Sequence, residues 1–125
     1  MENLINNPSA PFDATQDKPL RARKCVSHEE MKLLTEDQVN EYMLELSDKW
    51  EALENPPVLI SAKYKFADFI EAMKFVNKVA ELAEKEGHHP DITIHYNKVE
   101  ITLWSHFING LSINDFIVAA KIDNI

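Results

Sequence analysis

Residues 84–106 read EKEGHHPDITIHYNKVEITLWSH, and three of the chain's five histidines, His88, His89 and His106, fall inside this stretch. Ile92, Ile94 and Tyr96 alternate with Thr93 and His95, and Val99, Ile101 and Leu103 alternate with Glu100, Thr102 and Trp104. A period of two on both sides of Asn97-Lys98 predicts two antiparallel strands joined by a two-residue turn. With that turn Tyr96 faces Val99, Ile94 meets Ile101 and Ile92 meets Leu103, so the apolar side chains share the core face. Extended to the strand ends, the same register sets His89 opposite His106 on the polar face, with Thr93, His95, Thr102 and Trp104. His88, one residue away, points elsewhere unless the chain bends at Pro90. Two residues resist this arrangement: Lys98 is poorly suited to a positive φ, and Pro90 has no N–H to give a ladder.

Upstream, the longest periodic segment runs from about Ala67 to Glu86 and is expected to be a helix. Its apolar positions Phe69, Ile70, Ala72, Met73, Phe75, Val76, Val79, Ala80, Leu82 and Ala83 cover roughly two thirds of the circumference at 100° per residue. A helix lying on a sheet needs about 100° of apolar arc, so the excess must meet either the other helices or a second subunit. Gly87 ends this helix and delivers His88-His89 just past its end. Further upstream, Val58, Ile60, Ala62, Tyr64 and Phe66 alternate with polar residues, Asn55-Pro56-Pro57 is a turn, and Trp50–Leu53 is a short strand: a second hairpin. Thr35 with Gln38 three residues on is a capping box. It opens a helix striped by Val39, Tyr42, Met43 and Leu46 that ends near Ser47-Asp48. Downstream, Asn109-Gly110 is a turn, and Ser112 with Asp115 caps a last helix striped by Ile113, Phe116, Ile117 and Ala120. The expected fold is α+β, in the order α-β-β-α-β-β-α: a four-stranded antiparallel sheet with three helices packed on one face.

Length and composition limit the possible functions. At 125 residues the chain is one domain; residues 1–23 are expected to be a flexible N-terminal tail and 24–125 the folded part. Thirteen Lys and Arg against 21 Asp and Glu leave a net charge of −8, which argues against direct nucleic-acid binding. The short basic cluster Leu20-Arg21-Ala22-Arg23-Lys24 is read as a solvated linker. A single cysteine, Cys25, excludes an internal disulfide and a Cys-rich metal site, and is read as inert. Neither a signal peptide nor a membrane span is expected, which gives a cytoplasmic protein.

The run Glu84-Lys85-Glu86-Gly87-His88-His89-Pro90-Asp91, with Tyr96-Asn97-Lys98-Val99, Leu103-Trp104-Ser105-His106, Gly110-Leu111-Ser112 and Asn114-Asp115-Phe116, resembles pterin-4a-carbinolamine dehydratase. The resemblance spans about Lys24 to Asp123. It implies an enzyme that dehydrates 4a-hydroxytetrahydropterin to quinonoid dihydropterin and so recycles the cofactor of aromatic amino acid hydroxylases. It also implies assembly into dimers or tetramers. The family's active-site histidines carry over onto His88, His89 and His106, and its neighbouring acids onto Glu84 and Asp115. Ile92 stands where many members have Trp, Gly87 where some have an acid, and Asn109 where glycine is common, and these departures bear on the shape of the pocket.

The chemistry fits the residues. Loss of water from a carbinolamine needs a proton delivered to the leaving hydroxyl and one removed from the adjacent ring nitrogen, and imidazoles with a reference pKa of about 6.5 do either near neutrality. No metal or organic cofactor is required. His89 and His106 are assigned as the acid/base pair, with His88 positioning substrate or sharing the proton transfer. The expected substrate-binding residues are Glu84, Trp104, Ser105 and Asp115: Trp104 and Ser105 flank the pterin by stacking and hydrogen bonding, and Glu84 and Asp115 orient imidazoles. Glu84 has the alternative of a plain surface position, and Asp115 of capping its helix, alone or together with a site role. His28 and His95 are read as surface residues, His95 sharing the site face. Two rival readings stand beside this one: a zinc site built from His88, His89 and His106, and a non-catalytic oligomer that binds a protein partner, of the coactivator or assembly-factor type.

Overall fold

The computed structural model describes residues 18–125. Three helices, α1 (Glu36–Met43), α2 (Phe69–Glu86) and α3 (Ile113–Ile122), and four strands, β1 (Trp50–Leu53), β2 (Leu59–Lys65), β3 (Asp91–His95) and β4 (Lys98–Leu103), follow one another in the expected order, with short 3-10 turns between them. The strands form one antiparallel sheet in the order β1-β2-β4-β3.

Both capping boxes are present, Thr35 with Gln38 and Ser112 with Asp115. α1 ends at Met43 rather than near Ser47, because the chain tightens into i→i−3 bonds from Leu44 to Glu41, Glu45 to Tyr42 and Leu46 to Met43.

One face of the sheet carries the core. Ile60, Ala62, Val99, Ile101 and Leu103 are buried against Ala72, Val76 and Val79 of α2 and against Phe116, Ile117 and Val118 on α3. Each large apolar side chain so buried contributes about 1.5–3 kcal/mol. α3 is buried nearly all round, from Asn114 to Ala120, because residues 20–22 pack on it as well. Leu20 is fully buried there, so packing begins ahead of the expected start at residue 24. The expected flexible tail falls mostly on residues 1–17, outside the described residues.

The β3–β4 hairpin differs from expectation by two residues. Ile92 pairs with Ile101, Ile94 with Val99 and His95 with Lys98, so the turn is Tyr96-Asn97 and Lys98 belongs to β4. Tyr96 takes the positive φ, 54°. Asn97 offsets that conformation: its side-chain amide donates to Phe66 O at 2.9 Å and its carbonyl accepts from Phe66 N–H at 2.8 Å. A shift of two leaves every side chain on its expected face, but it removes the expected pairing of His89 with His106. Continued past Asp91, the ladder sets His89 against Trp104 instead.

Candidate active site

Gly87, at φ 68°, ends α2 in the left-handed conformation that glycine adopts without cost. The N–H groups of Gly87 and His88 both donate to Ala83 O, at 2.9 and 3.2 Å, and the chain leaves the helix with its next two side chains diverging.

His88 turns inward and is buried. Its Nε2–H donates to Asp115 Oδ1 at 2.6 Å. A carboxylate can only accept, so in its neutral form the imidazole keeps its lone pair on Nδ1. The other oxygen of Asp115 accepts from Ser112 N–H at 2.9 Å and from Ser105 Oγ at 2.8 Å. Since Ser105 spends its proton on Asp115, Ser112 donates to Ser105 across their 2.7 Å contact. Asp115 therefore caps α3 and holds His88 at once. Both Asp115 and Ser105 are shut away from solvent, at 0% and 1% exposure. Their polar atoms meet behind His88, and Ser105 also lines the cavity that His88 faces.

His89 turns outward, and its Nε2 meets Glu84 Oε2 at 2.6 Å. Both side chains are mostly exposed, so the pair contributes little stability. His106 begins a 3-10 turn, His106–Ile108. That turn is closed by Ser105 N–H to Gly110 O at 2.7 Å and by the left-handed Asn109, φ 55°. The His106 ring lies on Trp104, with centroids 3.8 Å apart and planes 30° apart. Its Nε2 is 3.9 Å from Asp91 Oδ2, an oxygen that also accepts from Trp104 Nε1–H at 3.2 Å.

His88, His89, His106, Trp104 and Asp91 all line one cavity of about 320 Å³. Each imidazole has its own carboxylate: Asp115 for His88, Glu84 for His89, Asp91 for His106. Sequence reasoning gave no site role to Asp91, His28, Met31 or Phe107, which also line the cavity. Asp91 stands next to Pro90 in the motif, where the charge was in view but not its cross-strand approach to Trp104. His28, read as a surface residue, also lines the cavity and stacks on Phe107 at 5.3 Å; no local pattern marks it. His95 lies at the far end of β3, against Lys98. A larger cavity of about 950 Å³ lies between residues 18–26, α1 and α3. Its lining includes none of the three histidines of the motif, which all line the smaller one. Among the described residues, no three His, Cys, Asp or Glu side chains are arranged to hold a metal ion.

The sequence profile described as pterin 4 alpha carbinolamine dehydratase matches residues 32–125. The chain belongs to the pterin 4 alpha carbinolamine dehydratase family. A Vibrio vulnificus protein named provisionally as a pterin-4-alpha-carbinolamine dehydratase is 48% identical over 93 residues, 74% of this chain and 84% of the relative. The crystal structure of a transcriptional coactivator/pterin dehydratase from Brucella melitensis superposes with a TM-score of 0.69 at 35% identity, covering 74% of this chain and 97% of the other. A pterin dehydratase-like protein described as a RuBisCO assembly factor in the alpha-carboxysome superposes with a TM-score of 0.53 at 25% identity, covering 61% and 87%. The proteins similar to this chain thus include ones named for catalysis and one named for assembly.

Proposed function

We propose that this dehydratase-family chain is catalytically active, converting 4a-hydroxytetrahydropterin to quinonoid dihydropterin and water. The observation that carries the reading is the meeting of three imidazoles on one cavity, each beside its own carboxylate. One imidazole, protonated, gives its proton to the hydroxyl oxygen as the C4a–O bond breaks. Another takes the proton from the adjacent ring nitrogen as the C=N bond forms. One proton is consumed and one released, so the reaction needs no redox partner and no electrophile beyond the proton.

His89 and His106 are the acid/base pair. His88, fixed by Asp115, presents Nδ1 to the substrate and positions it. Glu84 orients His89, and Asp91 with Trp104 orients His106. The setting is recycling of the pterin cofactor of aromatic amino acid hydroxylases, in the cytoplasm.

A second role in binding a partner or a second copy is favoured by the outer side of α2. Its core side is Ala72, Val76, Val79 and Ala83, while Phe69 and Ile70 remain 46% and 61% exposed. A dimer or tetramer built on that side covers them, and this role is compatible with catalysis at the histidine cavity.

The deciding experiment is a dehydratase assay on 4a-hydroxytetrahydropterin with His89→Ala and His106→Ala as paired variants. Each is expected to lose about 10²–10⁴-fold in kcat, and wild-type turnover by both removes the assignment.

A further inference from the structure

We propose that His28 and Phe107 together form the outer wall of the substrate site, a stacked aromatic pair that holds the flat ring of the pterin against the catalytic imidazoles. The inference rests on the dehydratase reading and adds to it a substrate-binding residue from the N-terminal arm. His28 and Phe107 lie almost parallel, with ring centroids 5.3 Å apart and planes 18° apart, and both line the cavity that holds His88, His89 and His106. Trp104 and His106 form a second close ring pair, tilted by 30°, that lines the same cavity. A cavity lined by two aromatic ring pairs and by imidazole nitrogens suits a planar heteroaromatic ligand with polar edges.

The arm is held in place without help from His28. Val26 N–H donates to Asn114 Oδ1 at 2.7 Å, Asn114 Nδ2–H donates back to Val26 O at 2.8 Å, and Cys25 N–H donates to Glu86 at 3.1 Å. These bonds fasten the arm to the first turn of α3 and the last turn of α2, the two elements that hold Asp115 and deliver His88. The following 3-10 turn, His28–Glu30, then brings His28 to the cavity. Phe107 is 68% exposed despite its size, on the 3-10 turn His106–Ile108. An exposed phenyl ring beside a cavity, covered on one face by an imidazole, leaves apolar surface for a bound ring to cover.

The test is steady-state kinetics on 4a-hydroxytetrahydropterin together with calorimetric binding of biopterin, which undergoes no dehydration, for wild type, His28→Ala, His28→Phe and Phe107→Ala. Loss of either ring is expected to raise KM and the biopterin Kd about threefold to tenfold, leaving kcat within about twofold of wild type. His28→Phe keeps the stack and is expected to restore both constants, an outcome that mere support of the fold would not produce. If the wild type turns over and binds biopterin but His28→Ala leaves KM and Kd unchanged, the outer wall is refuted and the dehydratase reading stands. A fall in kcat at constant KM also refutes it, since His28 would then act in proton transfer. If the wild type neither turns over nor binds biopterin, the dehydratase reading fails and the wall falls with it.

Discussion

Replacing Asp115 with asparagine changes one atom at the base of the site, and the consequence follows from the hydrogen-bond count. The native carboxylate accepts three bonds: from Ser112 N–H, Ser105 Oγ–H and His88 Nε2–H. An asparagine oxygen in the place of Oδ2 still satisfies the two serine donors, and its NH2 then faces His88 Nε2. Two opposed buried donors cost about 1–3 kcal/mol, and the imidazole avoids this by moving its proton to Nδ1. A charge-assisted bond is thereby exchanged for a neutral one, a net loss of about 1–2 kcal/mol, or roughly 5–10 °C in Tm for a domain of this size. The catalytic effect is larger than this small structural one suggests. Nδ1, the nitrogen that the proposed mechanism presents to the substrate, turns from acceptor to donor, and a reversed hydrogen bond at the buried His88 costs about 1–3 kcal/mol, a five- to 150-fold loss in kcat/KM. Circular dichroism and a thermal melt establish that the variant is folded, and the dehydratase assay reads the loss. Asp115→Ala orphans all three donors and is expected to cost about 3–5 kcal/mol, much of a small domain's total stability. A folded Asp115→Asn variant with wild-type kcat/KM would refute the role given to the Asp115–His88 pair.

Three further outcomes are expected. Burial pushes the carboxyl pKa of Glu86 up, but the Lys121 ammonium and the Cys25 N–H outweigh it and leave the group below its ordinary value of 4.5. Its contribution to stability is therefore present above that value and lost as pH falls through the lower folded one, so urea unfolding at about pH 7 and about pH 3 should show a steeper acid loss for wild type than for Glu86→Gln, and equal slopes would contradict this. Burial, with the Glu86 charge second, raises the Cys25 thiol from 9.0 to about 12. Iodoacetamide at pH 8 should then alkylate the native protein about a thousandfold more slowly than the urea-unfolded chain, and similar rates would show an accessible thiolate. With Phe69 and Ile70 exposed on α2, sedimentation at micromolar concentration should give a dimer or larger and Phe69→Asp should dissociate it, whereas a wild-type monomer would show that this surface serves no self-association.

The parts of the fold that were legible in the sequence are those fixed by local chemistry. Gly87 as the helix stop, Thr35–Gln38 and Ser112–Asp115 as caps, and the faces of β3 and β4 all follow from residues a few positions apart. The hairpin turn was misplaced because what selects Tyr96-Asn97 is a pair of bonds to Phe66, 31 residues away, which forces a positive φ on a tyrosine against its own preference. The histidines of the motif were visible as a cluster, but their division into one buried and two exposed rings depends on where α3 presents Asp115. His28 was invisible as a site residue for the same reason: its place is set by Asn114 and Glu86 gripping the arm, not by anything beside it in sequence.

That division favours one allocation of roles over the others. Each turnover leaves the proton donor deprotonated and the acceptor protonated, so both groups must be reset before the next substrate is processed, and the quickest route is exchange with bulk water. The His89 and His106 side chains are 59% and 60% exposed and can exchange directly. The His88 side chain is 7% exposed and its Nε2 proton is committed to a carboxylate with no exposure at all. A ring so held is a poor shuttle, because every proton that it gave up would have to return through the cavity from its single exposed edge or through the buried Asp115–Ser105–Ser112 network. It is a good fixed acceptor, because its orientation and tautomer are set by groups that do not change during the reaction. For the proposed dehydration the fold thus separates two requirements, exchangeable protons and a fixed geometry, by sending adjacent residues to opposite sides of the chain just past Gly87.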